Sequence, residues 1–503
     1  MTRHKLTARL AAVTAATLLL PAGASAAGGG VGSPGIGDPD YPDYGNGGYD
    51  VRHYGLEVDY NPATDKVVGR ARITATARQT LSRFDLDLVL PASSVQVNGA
   101  KAAFTQGAHE LVVTPRKPVA KGHPMTVTVR YAGKPAQFSA HGISPWIRTA
   151  DGAAAVGEPE IAPWWFPGND HPRDKATFDV RVTVPKSVEA LGNGILVSQR
   201  ANGGKRTWHW REQKPMATYL AFFVAGQFDI TRSRSPRGLP VITAVASDGG
   251  AEGGFAAKDL ARTPEVVAWA ARQWGPYPFD ALGGVAPAAD FGFALENQTR
   301  PVYTRGFWAG GANIYVVVHE LAHQWFGDSV SVRNWRDIWL NEGFATFTTW
   351  LWSEQHGEGS AQEVFASEYD RIPAANAFWK VRIGNPGKGN EFNGAVYTRG
   401  AMTLQALRNR LGDDDFFTLM RTWARDHKYG NGSISQFVGL AERVSGKQLG
   451  TFFRTWLYTG SKPAATRANG FPAGVARSTG SSRVPSLVKL QAAQRLLLGA
   501  ERG

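Results

Sequence analysis

From Tyr49 to about Ile230 the chain runs in short stretches of β-branched and aromatic residues, divided by turn signals, in which apolar and polar positions alternate. The segments Val68 to Ala77, Pro124 to Tyr131 and Thr177 to Val184 are examples. A two-residue period puts one face of each strand on a core and the other on solvent, which predicts an antiparallel β domain, a sandwich, over residues 49–232. The stretch TRSRSPRGLP at 231–240 reads as a domain boundary. Beyond it the apolar spacing lengthens to three and four residues in the segments 255–274, 314–326, 337–354, 397–411, 414–427 and 433–457, so a mainly helical second domain is expected over 233–463. The predicted fold class is therefore α+β and multidomain. Residues 27–48, rich in Gly, Pro and Asp and without a period, read as a linker or an irregular arm. Residues 464–503 open with Gly, Ser and Pro and finish with an amphipathic run, Leu487 to Leu498, expected to be a loosely docked or solvated end. No internal repeat of solenoid period is present.

The first 26 residues follow a different pattern. Arg3, His4, Lys5 and Arg9 precede an apolar stretch from Leu10 to Leu20, followed by Pro21 and the small triplet Ala24-Ser25-Ala26. This is the layout of a secretory signal peptide cut after Ala26, and its apolar core is too short for a membrane anchor, which needs about 20 residues. A secreted protein without membrane insertion is expected.

Composition narrows the chemistry. The 503 residues include no cysteine, so disulfides, Cys-ligated zinc, iron–sulfur clusters and thiolate nucleophiles are all excluded. Any metal must be held by His, Asp or Glu. The net charge is +13, but much of it lies at the two ends: Arg3, Lys5 and Arg9, then six Lys and Arg against Glu501 after residue 463. Without a basic run or a basic stripe with interleaved aromatics, no nucleic-acid partner is expected.

The segment VVVHELAHQWFGD (316–328) carries the chemistry. On a helix, His319 and His323 share one face about 6 Å apart along the axis, close enough to grip one metal ion. Glu320 then flanks that ion, where a carboxylate can take a proton from water and return it to a leaving amine. Catalytic zinc commonly takes a third protein ligand, and beyond His323, with eighteen residues between, comes Glu342, in the apolar-periodic segment DIWLNEGFATFTTW. The bland reading is a core helix with two hydrogen-bonded histidines and Glu342 as a surface charge.

HELAH, eighteen residues and the Glu of WLNEGFA together resemble the signature of the aminopeptidase N family, zinc metallopeptidases of the gluzincin type. FALEN (Phe293 to Asn297) is similar to the family's exopeptidase motif GAMEN, with Phe293 for its Gly and Leu295 for its Met. Tyr397, in VYTRGAMTL, matches the family's catalytic tyrosine, and WFPGNDHPRDKATF (165–178) resembles a signature of its N-terminal β domain. The likeness covers roughly Tyr49 to Pro463. Only 40 residues follow Pro463, as in the short bacterial members that end after the catalytic domain.

The resemblance implies a β-sandwich packed on a thermolysin-like catalytic domain, with one Zn²⁺ on His319, His323 and Glu342. It makes Glu320 the general base and Tyr397 the proton donor to the developing oxyanion. Glu296 and Asn297 would bind substrate, Glu296 through the free α-amino group. The family commonly has a second amine acceptor, a Gln nine residues before the Pro of the β-domain loop; counting back from Pro167 gives Glu158, which either helps hold the ammonium or is a solvated loop charge beside Glu160. The expected function is a secreted zinc aminopeptidase, favoured as a monomer, acting on peptides with free N-termini through metal-activated water. A metalloendopeptidase or broad-specificity peptidase is the alternative, and an inactive scaffold with the peptidase fold a remote one.

Overall fold

The computed structural model describes residues 30–472 and 484–497; the expected signal peptide lies outside the described residues. The three alternating segments are strands. Lys66–Ala77 buries nearly every second residue, as do Pro124–Gly133 and Ala176–Pro185. They belong to an eight-stranded sheet ordered 195–202, 205–216, 176–185, 49–61, 66–77, 124–133, 92–97, 100–101. Its pairs are antiparallel with one exception to the expected pattern, Ala176–Pro185 against Tyr49–Asn61, which run parallel, a direction that the long connection between them permits. Two four-stranded sheets complete the β domain.

The expected boundary at 231–240 falls inside a hairpin. Phe228–Arg234 pairs antiparallel with Pro240–Ala246, and both strands belong to the sheet of the second domain. Pro236 and Gly238 mark the hairpin's turn rather than a linker, so the change of sheet comes before Phe228. Leu282–Ala286 then pairs parallel with Pro240–Ala246, and the crossover between them is made by helices α1 (Gly250–Ala261) and α2 (Thr263–Trp274), one periodic segment broken where Pro264 opens α2. The short strands Ala294–Leu295 and Val302–Tyr303 complete this sheet.

The remaining helices are α3 (Ile314–Ala322), α4 (Trp339–Gln355), α5 (Ala361–Arg371), α6 (Gly394–Leu411), α7 (Asp413–Asp426), α8 (Ile434–Ser445), α9 (Gly450–Phe453) and α10 (Leu487–Leu497). Apolar periodicity left α5 unmarked, yet Ser360 and Glu363 form a capping box at its start, the local signal that would have found it. The expected segment 433–457 is split by Gly446, left-handed at φ 65°, a conformation that glycine adopts without Cβ strain.

The two ends of the described chain are packed. In the arm, buried Asp38 accepts from the backbone N–H of Trp335 at 2.9 Å and bonds the His171 ring at 3.0 Å, joining the arm to both domains. At the other end α10 sits against α3 and α5, with Leu490 and Ala493 buried and Gln491 donating to Glu368 at 2.7 Å. Of the two expected states, loosely docked or solvated, it is the docked one that the structure has.

Helices α4 and α6 cross backbone to backbone at two glycines. A Cβ built on Gly343 would lie 2.9 Å from the Cα of Gly400, and one on Gly400 would lie 2.7 Å from the Cα of Gly343. Both are backbone atoms, so nothing can rotate away. Gly343→Ala is expected to force the helices apart and cost about 1–3 kcal/mol, read as a lowered midpoint of thermal or urea unfolding. An unchanged midpoint would show that the crossing can relax.

Candidate metal centre

The strand-to-helix path through the second domain delivers the predicted site. His319 and Glu320 lie on the last turn of α3, and His323 caps it. The first turn of α4 carries Glu342, and the first turn of α6 carries Tyr397. The Gly343–Gly400 crossing therefore sets the distance between a residue next to Gly343 and one three positions before Gly400.

His319 Nε2 and His323 Nε2 lie 3.2 and 3.5 Å from the same oxygen of Glu342. The possible ligand atoms of these three residues all lie within 4.8 Å of one another. His323 Nδ1 is 3.0 Å from the carbonyl of Phe326; a carbonyl only accepts, so Nδ1 carries a proton and, in the neutral ring that a metal ion requires, Nε2 offers its lone pair. Two imidazoles and one carboxylate, buried and convergent, fit the donor set of a catalytic Zn²⁺ with a position left for water. Glu320 is buried beside them, and its Oε1 has no hydrogen-bond partner in the protein, as suits a carboxylate whose partner is substrate or water. Burial pushes its carboxyl well above the usual range, and the charges of Glu296 and Glu342 add to this. Against the same burial, the two histidines hold Glu342 below it.

All of these residues face one cavity of about 550 Å³, which Tyr397, Glu296 and Glu158 also line. The Tyr397 ring stacks on His319 with centroids 5.9 Å apart. Glu296 follows the edge strand Ala294–Leu295, and its Oε1 accepts from the Tyr219 hydroxyl at 3.0 Å. Glu158 is no solvated loop charge: it lines the cavity, and burial and then the Glu296 charge raise its carboxyl well above normal. Asn297 is the exception among the expected substrate contacts. It is fully buried, is not a cavity-lining residue and donates instead to the backbone carbonyl of Leu220 at 3.0 Å. Its amide fixes the turn behind Glu296.

Sequence reasoning missed Tyr219, which reaches Glu296 from the β domain, because nothing local marks a tyrosine as a carboxylate's partner 77 residues away. It also missed Gln324, which follows His323 in the helical motif. The Gln324 amide donates to the carbonyl of Glu296 at 3.1 Å and to Asp328 at 2.7 Å, tying the metal-binding helix to the strand that carries Glu296.

Residues 50–220 match the Peptidase M1 N-terminal domain and residues 307–456 the Peptidase family M1 domain. Aminopeptidase M1 of Arabidopsis thaliana is 27% identical over 337 residues, covering 63% of this chain and 36% of its own length. Glutamyl aminopeptidase of Bos taurus is 28% identical over 328 residues, covering 60% and 34%. The chain thus spans about a third of the length of these curated relatives. Among solved structures, the M1 zinc metallopeptidase of Deinococcus radiodurans aligns with a TM-score of 0.74 at 28% identity, over 86% of this chain and 99% of that one. A mutant of it bound to a Tyr-Ser-Ala substrate aligns with a TM-score of 0.75 at 27% identity, over 86% of this chain and 100% of that one. With both domains matched in order and the His-Glu donor set convergent, the chain belongs to peptidase family M1, the aminopeptidase N family of zinc metallopeptidases.

Proposed function

We propose that this chain is an exported zinc aminopeptidase that hydrolyses the first peptide bond of peptides with free N-termini. The observation that carries the reading is the shared cavity, with a metal-binding triad at one side and two further carboxylates, Glu296 and Glu158, facing the same space. An ammonium group held by those carboxylates would leave only the first peptide bond in reach of the triad. An endopeptidase cleft needs to pass chain in both directions and has no use for paired acids there. Export rests on the signal-like pattern of residues 1–26.

Zn²⁺ held by His319, His323 and Glu342 would polarise the scissile carbonyl and make water nucleophilic at neutral pH. Glu320 takes a proton from the attacking water and passes it to the leaving amine. Tyr397 keeps its phenolic proton, since burial and the surrounding carboxylates, Glu342 foremost, raise its pKa well above normal, and so it can donate a hydrogen bond to the developing oxyanion. Phe291, Phe293 and Phe392 line the same cavity and, together with its carboxylates, favour an apolar or basic first residue over an acidic one.

Glu320→Gln is expected to retain zinc while losing roughly 10²–10⁴-fold in kcat, measured by metal content and peptidase assay on one preparation. Turnover surviving near the starting rate would remove Glu320 as the base. Tyr397→Phe should lower kcat by roughly 10²-fold or more with little change in KM; equal rates would place Tyr397 outside the chemistry. Aminoacyl fluorogenic amides should be cleaved only with a free amine, and Glu296→Ala should raise their KM without changing metal content. Equal cleavage of the N-acetylated forms would make the enzyme an endopeptidase, and no cleavage of either form would favour an inactive scaffold.

A further inference from the structure

The cavity wall holds a second group of the same composition. Glu160, two residues beyond Glu158 on the same loop, also reaches the cavity, but its buried carboxylate turns to two histidines from the β domain. One imidazole meets each oxygen: His109 Nε2 is in contact with Oε1, and His141 Nδ1 lies 3.3 Å from Oε2. The two ring centroids are 4.4 Å apart, and the possible ligand atoms of His109, His141 and Glu160 all lie within 4.8 Å of one another. That is the donor set and the convergence found at His319, His323 and Glu342.

The surroundings are built for a cation. His109 turns its other nitrogen, Nδ1, to Glu110 at 3.1 Å, with Asp87 at 3.7 Å, the carboxylate–imidazole arrangement that orients a metal-binding histidine. Asp87 is fully buried, and its Oδ1, the atom nearest His109, has no hydrogen-bond partner. Asp170 is buried too and feels the Glu160 charge. Four carboxylates thus face two imidazoles, and buried charge left unpaired is costly. His141 is held in place by a tight turn, with Ala140 and Ile143 bridged and φ of 51° at His141 and 82° at Gly142, the left-handed pair of a two-residue hairpin. Tyr44 of the arm lies against both rings, 6.3 Å from His109 and 5.0 Å from His141.

We propose that His109, His141 and Glu160 form a second divalent-cation centre, of zinc-binding chemistry, that braces the loop carrying Glu158. Two imidazole nitrogens and one carboxylate select a borderline ion such as Zn²⁺ over Ca²⁺ or Mg²⁺, which take oxygen ligands. The side chain of His141 is 23% exposed, which leaves the ion a route in from solvent. The role is structural, since the bound ion ties three separate segments, around residues 109, 141 and 160, at the rim of the cavity. It does not depend on the peptidase reading, because the two groups share no residue.

The test is zinc stoichiometry of the full chain after dialysis against chelator-buffered Zn²⁺. Two equivalents per chain are expected. His141→Ala, in a surface turn, and Glu160→Gln, equal in size, should each bring this to one, while His323→Ala should also leave one and the His141→Ala/His323→Ala pair none. Crystals of the unaltered chain should show two anomalous peaks at the zinc edge, the second between His109 and His141. A single equivalent that His323→Ala abolishes would overturn the proposal and leave the catalytic centre intact. A second equivalent indifferent to both His141→Ala and Glu160→Gln would overturn it as well, by putting that ion elsewhere.

Discussion

Crowding of buried carboxylates is the constraint on which this structure turns. Glu158, Glu296, Glu320 and Glu342 line one cavity, with Asp328 buried behind them, and the imidazoles of His319 and His323 stand at its metal-binding end. Burial raises the carboxyls of Glu158, Glu296, Glu320 and Asp328, and the neighbouring acids raise them further. Such a group cannot gather of its own accord, because each like charge in a low-dielectric site destabilises the next. In the function proposed above, cations complete it: a divalent ion at the triad and the ammonium of a substrate at Glu296 and Glu158.

The scaffold must therefore hold the acids in place, and it does so with contacts that have little freedom. Two glycines let the backbones of α4 and α6 meet, which brings Glu342 and Tyr397 to one wall. Arg300, fully buried, donates to the carbonyl of Ile242 at 3.2 Å in the second domain and to those of Gly192 and Gly194 in the β domain, and stacks on Trp210 at 4.8 Å. Arg399, two residues after Tyr397, donates to five carbonyls, among them Trp456 at 2.8 Å and Thr459 at 2.6 Å, and so anchors α6 from behind. Buried guanidinium groups that donate to several carbonyls at once are strong, directional fasteners. Asp38 does the same for the arm, clasping His171 of one domain and Trp335 of the other just ahead of α4.

The loop around Glu158 and Glu160 links the two acidic groups. One of its carboxylates faces the cavity and the other faces His109 and His141. A loop has few internal hydrogen bonds to fix it, so a pair of anchored side chains decides its position. The β domain is thereby part of the site: it supplies Glu158 and, through Tyr219, the hydroxyl that orients Glu296.

Local chemistry was legible in the chain itself wherever ligands share an element or a motif. His319 and His323 are one helical turn apart, so the 3.6-residue period alone puts them on one face, and the count to Glu342 completed the triad. Two-residue alternation likewise announced the strands of the β domain. The sequence had no means to tell that 231–240 was a hairpin turn instead of a linker, since Pro and Gly serve both; strand pairing decides, and it depends on residues far along the chain. Nor could it separate Glu160, turned inward to His109 from 51 positions away, from a solvated charge. Asn297 stands next to Glu296 in the chain yet its amide donates to the Leu220 carbonyl, a partner 77 positions away that only the fold brings there. Spacing along one element is set by backbone geometry and can be read from residue order, whereas the meeting of distant side chains is set by packing, and only the folded chain fixes it.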